Sequence, residues 1–281
     1  GWSGVIAGSV FCLLAFSGFE AAAPLAEETE NPKKNIPKAV MIATIAIGAL
    51  YAMTTYAAVV TFGPDKFTGF AAYNNGVPWD GLAKGVGTIF WLLVLFAIVN
   101  STIANANAGA NVFTRTAFAF GRAGAFPKKM AELDAKYKSP RNAVVVQLIV
   151  GLALALGLGA KYTPQTAFGI IATGLVVAVV PVYMIANLAC IGYFSKHRKA
   201  DRHPALHILM PIIGFLFLIP GFFNAAGITG VPGLKFIVAL SSPLTIGAFA
   251  MGIWVLMGFV ALAYLNSKKP GAIKEVATLH V

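Results

Sequence analysis

Seven stretches of this chain run for at least 19 residues without an Asp, Glu, Lys or Arg: residues 1–19, 39–64, 85–114, 142–160, 162–195, 203–234 and 236–267. A helix needs about 20 apolar residues to cross a bilayer core, so each stretch can supply a span. Stretches such as residues 39–53 and 143–160 are apolar on every face and lack the alternation of a membrane β-strand. The expectation is an all-α integral membrane chain. Its spans fall at about 2–26 (broken near 16–20), 39–63, 85–114, 142–160, 163–195, 204–230 and 238–267. Between them lie an outer loop at 64–84, an inner basic loop at 115–141 and a cytoplasmic tail at 268–281. A length of 281 residues would suit about two soluble domains, but 58% hydrophobic and 11% charged residues exclude a soluble protein.

The charges set the orientation. Of 21 Lys and Arg, 17 fall in alternate connecting segments that include the C-terminus and 4 in the others. The richer set is cytoplasmic by the positive-inside rule, and the expected location is a plasma membrane, a bacterial inner membrane, with the chain multi-pass. The net charge of +11 therefore reflects topology and contact with anionic headgroups, and no nucleic-acid partner is expected. An odd number of spans puts Gly1 outside, yet no initiator Met, basic n-region or cleavage pattern precedes it. The expectation is a chain that begins inside a larger protein. Cys12 and Cys190 lie within spans as small apolar residues. The histidines 197, 203, 207 and 280 come without a Cys or carboxylate cluster, so no metal site and no cofactor are expected.

Among 31 charged residues only Glu20 stands within an apolar helix region. Six apolar residues separate it from Glu27, about 10 Å of helix, which is deep for a short side chain to reach water. An intramembrane carboxylate by default faces a cavity or partner and marks function; marking the end of a short helix is the alternative. Ser17-Gly18 before it and Pro24 after it loosen the helical ladder. Broken helices at membrane depth are where secondary transporters bind their substrates.

Phe16-Ser17-Gly18-Phe19-Glu20, then Glu27-Glu28 and Asn31-Pro32-Lys33-Lys34-Asn35-Ile36-Pro37-Lys38-Ala39, resembles the sixth helix and following loop of amino acid–polyamine–organocation (APC) permeases. Asn111-Val112-Phe113-Thr114-Arg115 and Ala119 to Pro127, with Ser139-Pro140 beyond, resembles the end of that family's eighth helix and its next loop. Ala123 stands where the family often has an acidic residue, and Lys34 where arginine is common. The resemblance implies the second inverted repeat plus two peripheral helices of a LeuT-like transporter fold, helices six to twelve, with the N-terminal half absent and expected as a partner.

It further implies secondary active transport of an amino acid or related amine by alternating access. Carbonyls freed around Leu14, Ala15, Phe16 and Ser17, beside Gly18, would accept hydrogen bonds from the substrate ammonium. Phe16 or Phe19 would serve as an aromatic gate, or as an ordinary packing aromatic. Glu20 would couple transport to protons, although proton against sodium coupling stays open without the first five helices. Asn100, Asn107 and Asn111 share one face of the third span, and Ser101 and Asn105 the adjoining one; these either line the path or bond a neighbouring helix. Glu27 or Glu28 would clasp Arg115 or Arg122 as an inner gate, with topology signalling as the alternative. A membrane enzyme is disfavoured because only one carboxyl is available at depth. A seven-span receptor does not explain the broken helix, and a fragment inactive without its N-terminal half is a third alternative, compatible with the transporter reading.

Overall fold

The computed structural model describes residues 2–235 and 237–278, with the side chains of residues 23, 24, 26–28, 274 and 276–278 outside the description. His280 also lies outside the described residues. The described residues form helices and no strand: α1 (Trp2–Phe16), α2 (Pro32–Phe62), α3 (Tyr73–Gly76), α4 (Pro78–Val86), α5 (Thr88–Arg122), α6 (Arg141–Lys161), α7 (Pro164–Lys196), α8 (Met210–Ala226), α9 (Thr245–Lys268) and α10 (Pro270–Thr278). A 3-10 segment, Phe19–Glu28, follows α1, and another, Pro64–Ala72, follows α2. Seven helical segments, including one built on each of α1, α2, α5, α6, α7, α8 and α9, are long and apolar enough to cross a membrane. The chain is an all-α membrane protein.

Several helix ends differ from the charge-based expectation, three of them for a clear local reason. The second membrane helix begins at Pro32 rather than 39, since proline is at home in a first turn and lysines favour helix. The third runs on to Arg122, so Arg115 and Arg122 stand on a helix rather than in the basic loop expected at 115–141. It stops where Gly124 takes φ 76° and the Ala125 N–H returns to the Phe120 carbonyl at 2.9 Å, a Schellman-type end. The last long helix begins at Thr245 rather than 238, after a stretch punctuated by Gly230 and Gly233 at positive φ and by Pro232 and Pro243.

The fold divides into two compact units, residues 1–17 with 148–274, and residues 18–147 with 275–281. In the first, α7 is the central element, packing on α1, α8 and α9. Its apolar window is 39% buried, against 11% or less for the other six candidate spans, so it is the helix around which that unit is assembled. Small residues let the backbones approach, as membrane helices require when lipid is as apolar as leucine. A Cβ at Gly247 of α9 would overlap the Ile170 carbonyl oxygen and lie 2.9 Å from the Gly174 nitrogen, both on α7. Val10 of α1, Val176 and Val180 of α7 and Ala225 of α8 form the core of this unit. Gly221 of α8 admits Leu13, whose Cδ1 would stand 2.6 Å from an added Cβ.

In the second unit, the Phe19–Glu28 segment packs on both α2 and α5, and α4 packs on α5. The arrangement leaves an apolar cleft of about 750 Å³ lined from α2, α4 and α5.

Gly247→Ala is expected to lower stability by about 1–3 kcal/mol by forcing α7 and α9 apart. Thermal unfolding in detergent, with Gly258→Ala as the control where an added Cβ meets nothing within 4 Å, measures it.

Candidate functional site

The first membrane helix breaks at Ser17 and Gly18, where the chain passes from one unit into the other. A helix end leaves carbonyls without ladder partners, and the way this end is held decides which remain available. On the near side, the Ser17 N–H is shared between the carbonyls of Leu13 (3.0 Å) and Leu14 (3.1 Å). The carbonyls of Leu13 and Leu14 thus each use one lone pair on the Ser17 N–H. The Ser17 hydroxyl lies 3.2 Å from the Tyr183 hydroxyl of α7.

Beyond the break, Gly18 adopts φ 116°, a conformation open to glycine, and nothing within 4 Å crowds it. The Gly18 N–H donates to Glu20 Oε2 at 2.9 Å instead of returning to the helix. Glu20 therefore caps the break, a position in which a carboxylate stabilises an otherwise orphaned backbone donor. The Ala21 N–H to Gly18 carbonyl bond, 3.0 Å, opens the 3-10 segment. Pro24 lies within that segment, which continues in 3-10 form rather than returning to α-helix. Phe16 and Phe19 flank the break, each 38% exposed, on opposite sides of the Ser17-Gly18 pair in sequence.

Of the third-span residues, Ser101 lines the apolar cleft, together with Tyr51, Thr54, Trp79, Phe90 and Thr102 among others. The hydroxyls of Thr54 and Thr102 fold onto their own helices, donating to the carbonyls of Leu50 (2.9 Å) and Ile98 (2.8 Å), which leaves the wall apolar. Asn100 and Asn105 are exposed on α5, as are Asn107 and Asn111. The side chains of Glu27 and Glu28, and with them the expected clasp to Arg115 or Arg122, lie outside the described residues. Arg122 lies over the Phe118 ring at 5.5 Å.

Two arrangements escaped the sequence reading. Tyr183 is 166 residues from Ser17. Its only signal was a hydroxyl-bearing aromatic on the stripe Val176, Val180, Tyr183, at i, i+4 and i+7 of an apolar helix. The second is the segment between α2 and α5, where Asp80 accepts from Asn74 Nδ2 (2.8 Å), Lys84 Nζ (2.8 Å) and Trp91 Nε1 (2.6 Å). Only the Asp80–Lys84 spacing of i, i+4 was legible there. Phe62, Phe67, Phe70, Tyr73 and Trp79 pack beside it as an aromatic group, with Phe67 stacked on Phe70 at 4.7 Å.

Comparison with known proteins identifies the architecture around this broken helix. Residues 1–250 match the Amino acid permease family. The chain belongs to that family. Amino acid permeases are membrane transporters rather than enzymes, and this one is a multi-pass membrane protein. It is 24% identical over 283 residues to the branched-chain amino acid permease BcaP of Bacillus subtilis, covering 98% of this chain and 53% of that protein. It is 26% identical to BcaP of Lactococcus lactis, covering 96% of this chain and 52% of that one. A shorter match, 31% over 156 residues, joins it to human cationic amino acid transporter 4, covering 48% of this chain and 25% of that protein. The chain thus spans about half, or less, of the length of these relatives. No solved structure matches it significantly.

The Asp80 network of this permease is expected to respond to pH. The Lys84 hydrogen bond first, then those of Trp91 and Asn74, hold the Asp80 carboxyl below its ordinary value of 3.8. A carboxyl lowered in the folded state stabilises fully above that ordinary value, and the contribution fades as pH falls through the folded-state value. With Trp2, Trp79 and Trp254 replaced by Phe, Trp91 fluorescence is expected to hold steady from pH 7 to about 4 and to change below 3.8. The same titration of Asp80→Asn should be flat.

Proposed function

We propose that this chain forms part of a secondary active transporter of amino acids or related amines, working by alternating access with proton-coupled symport or exchange. The observation that carries the reading is the first membrane helix, broken at Ser17-Gly18 with an acidic residue capping the break. Carbonyls at the end of a helix carry partial negative charge and suit an ammonium group. Broken helices near the membrane midplane are the sites where such transporters hold substrate. The relatives' names point to the same class, one to branched-chain and the other to cationic amino acids.

In this reading Leu14, Ala15, Phe16, Ser17 and Gly18 present backbone to the substrate ammonium, and Phe16 or Phe19 closes over it. Glu20 carries the coupling proton: ionised it holds the Gly18 N–H, and protonation weakens that charge-assisted bond, so loading with a proton alters the geometry of the break. Ser101, with Asn100 and Asn105, borders the path. Glu27 and Glu28 meet Arg115 and Arg122 as the inner gate. The membrane is a bacterial plasma membrane with the C-terminus in the cytoplasm. The stretch of the relatives that this chain does not span supplies the other wall of the site.

Uptake of radiolabelled leucine and lysine into cells or proteoliposomes tests the reading, using the protein with the remainder of a relative-length reading frame. Uptake of either above the empty vector is expected, with dependence on external pH. Glu20→Gln should lower uptake and flatten its pH dependence. Unchanged uptake with unchanged pH dependence in Glu20→Gln would remove the coupling role.

A further inference from the structure

Six hydroxyl side chains on this protein's long helices share a habit. Ser9, Thr44, Thr54, Thr102, Thr114 and Thr173 each donate to a carbonyl three or four residues back on their own helix, at 2.7 to 3.2 Å. In an apolar surrounding this is the cheapest way to satisfy a hydroxyl. Ser17 departs from it. The carbonyls of Leu13 and Leu14 stand at the corresponding offsets, and each already receives the Ser17 backbone N–H. The Ser17 hydroxyl is instead engaged by Tyr183, at 3.2 Å, with either oxygen able to donate.

The packing explains how Tyr183 arrives there. Val10 packs against Val176 and Val180 in the core of the first unit, with Leu13 and Leu14 against the same cluster. Advancing seven residues along α1 from Val10 reaches Ser17, and advancing seven along α7 from Val176 reaches Tyr183. The two stripes keep step, so the core contact itself places the Tyr183 hydroxyl at the break. Asn187, one turn further along α7, donates its amide to the Tyr183 carbonyl at 3.0 Å.

We infer that Tyr183 is a positioning residue for substrate: by holding the Ser17 hydroxyl away from its own helix, it keeps the free lone pairs of the Leu13 and Leu14 carbonyls available to the substrate ammonium. This rests on the transporter reading above and adds a residue to it. A carbonyl oxygen has two lone pairs, and the Ser17 N–H takes one on each. A back-bonded hydroxyl would take another. Without Tyr183's hydroxyl, Ser17 would relax into the arrangement that the six other residues adopt, and the ammonium would compete with it for an acceptor.

The consequence is a sign that a simple tether does not share. In the relative-length protein, Tyr183→Phe is expected to raise the KM for whichever of radiolabelled leucine or lysine the unaltered protein takes up, by about fivefold to tenfold, one hydrogen bond's worth. Maximal rate per molecule in the membrane should change much less. Adding Ser17→Ala to Tyr183→Phe removes the competing hydroxyl and should bring KM back down at least threefold from the single variant. A double variant as impaired as Tyr183→Phe, or worse, would overturn the inference, as would a Tyr183→Phe KM equal to that of the unaltered protein.

Ser17→Thr provides an arm in which Tyr183 is untouched, for use if Tyr183→Phe does not accumulate. Threonine in a helix favours rotamers that bond the i−3 or i−4 carbonyl. It should raise KM severalfold, and an unaltered KM would count against the inference. Absence of uptake by the unaltered protein would instead overturn the transporter reading itself, so the two failures are distinguishable.

Discussion

In a lipid environment every backbone N–H and C=O must find its partner within the protein, and an unbroken helix is the simplest way to do so. This permease relaxes that rule in its first membrane helix, between Ser17 and Gly18. The ladder is replaced there by three local devices. The Ser17 N–H is shared between two carbonyls, the Gly18 N–H turns to the Glu20 carboxylate, and the Ser17 hydroxyl meets Tyr183. None is strong by itself, since a single hydrogen bond contributes on the order of 1 kcal/mol net. Together they pair the Ser17 and Gly18 backbone donors and the Ser17 hydroxyl where the helix is interrupted.

The near side of the break depends on how α7 is packed. Glycine contacts with α9 and the Val10, Val176, Val180 and Ala225 core make α7 the best-buried membrane helix. A rigid element is the right place for a positioning side chain, because a displacement of a fraction of an ångström would lose a hydrogen bond already at 3.2 Å. Packing and site chemistry are therefore one problem in this unit. The small residues that bring the helices together also set the register that brings Tyr183 to Ser17.

The second unit follows a different logic. Its segment between α2 and α5 is tied by one carboxylate, Asp80, with three donors from Asn74, Lys84 and Trp91, beside a group of aromatic rings. Gly63 at φ 101° and Gly87 at φ 146° bound this segment where it meets α2 and α5, each allowing a sharp change of direction. Thr54 and Thr102 of the cleft fold their hydroxyls onto their own helices, which keeps those faces of the wall apolar.

The amino-acid sequence by itself determined the all-α membrane class, because stretches without charge of that length have few other stable forms. It also determined the family, through the Phe16–Glu20 and Asn111–Pro127 motifs, and marked the break, because Ser17-Gly18 and Glu20 are locally incompatible with a plain lipid-facing helix. Helix ends were read less well where charge served as the marker, since Arg115 and Arg122 do not interrupt a helix whereas Gly124 ends one. What only the tertiary structure decided is who holds the break. Glu20 reads in sequence as a buried charge seeking a cavity, yet its carboxylate also caps a backbone donor two residues away. Tyr183 is invisible as a partner from 166 residues away, because a contact between distant helices is set by the register of two packed stripes, and register is a property of the assembled core.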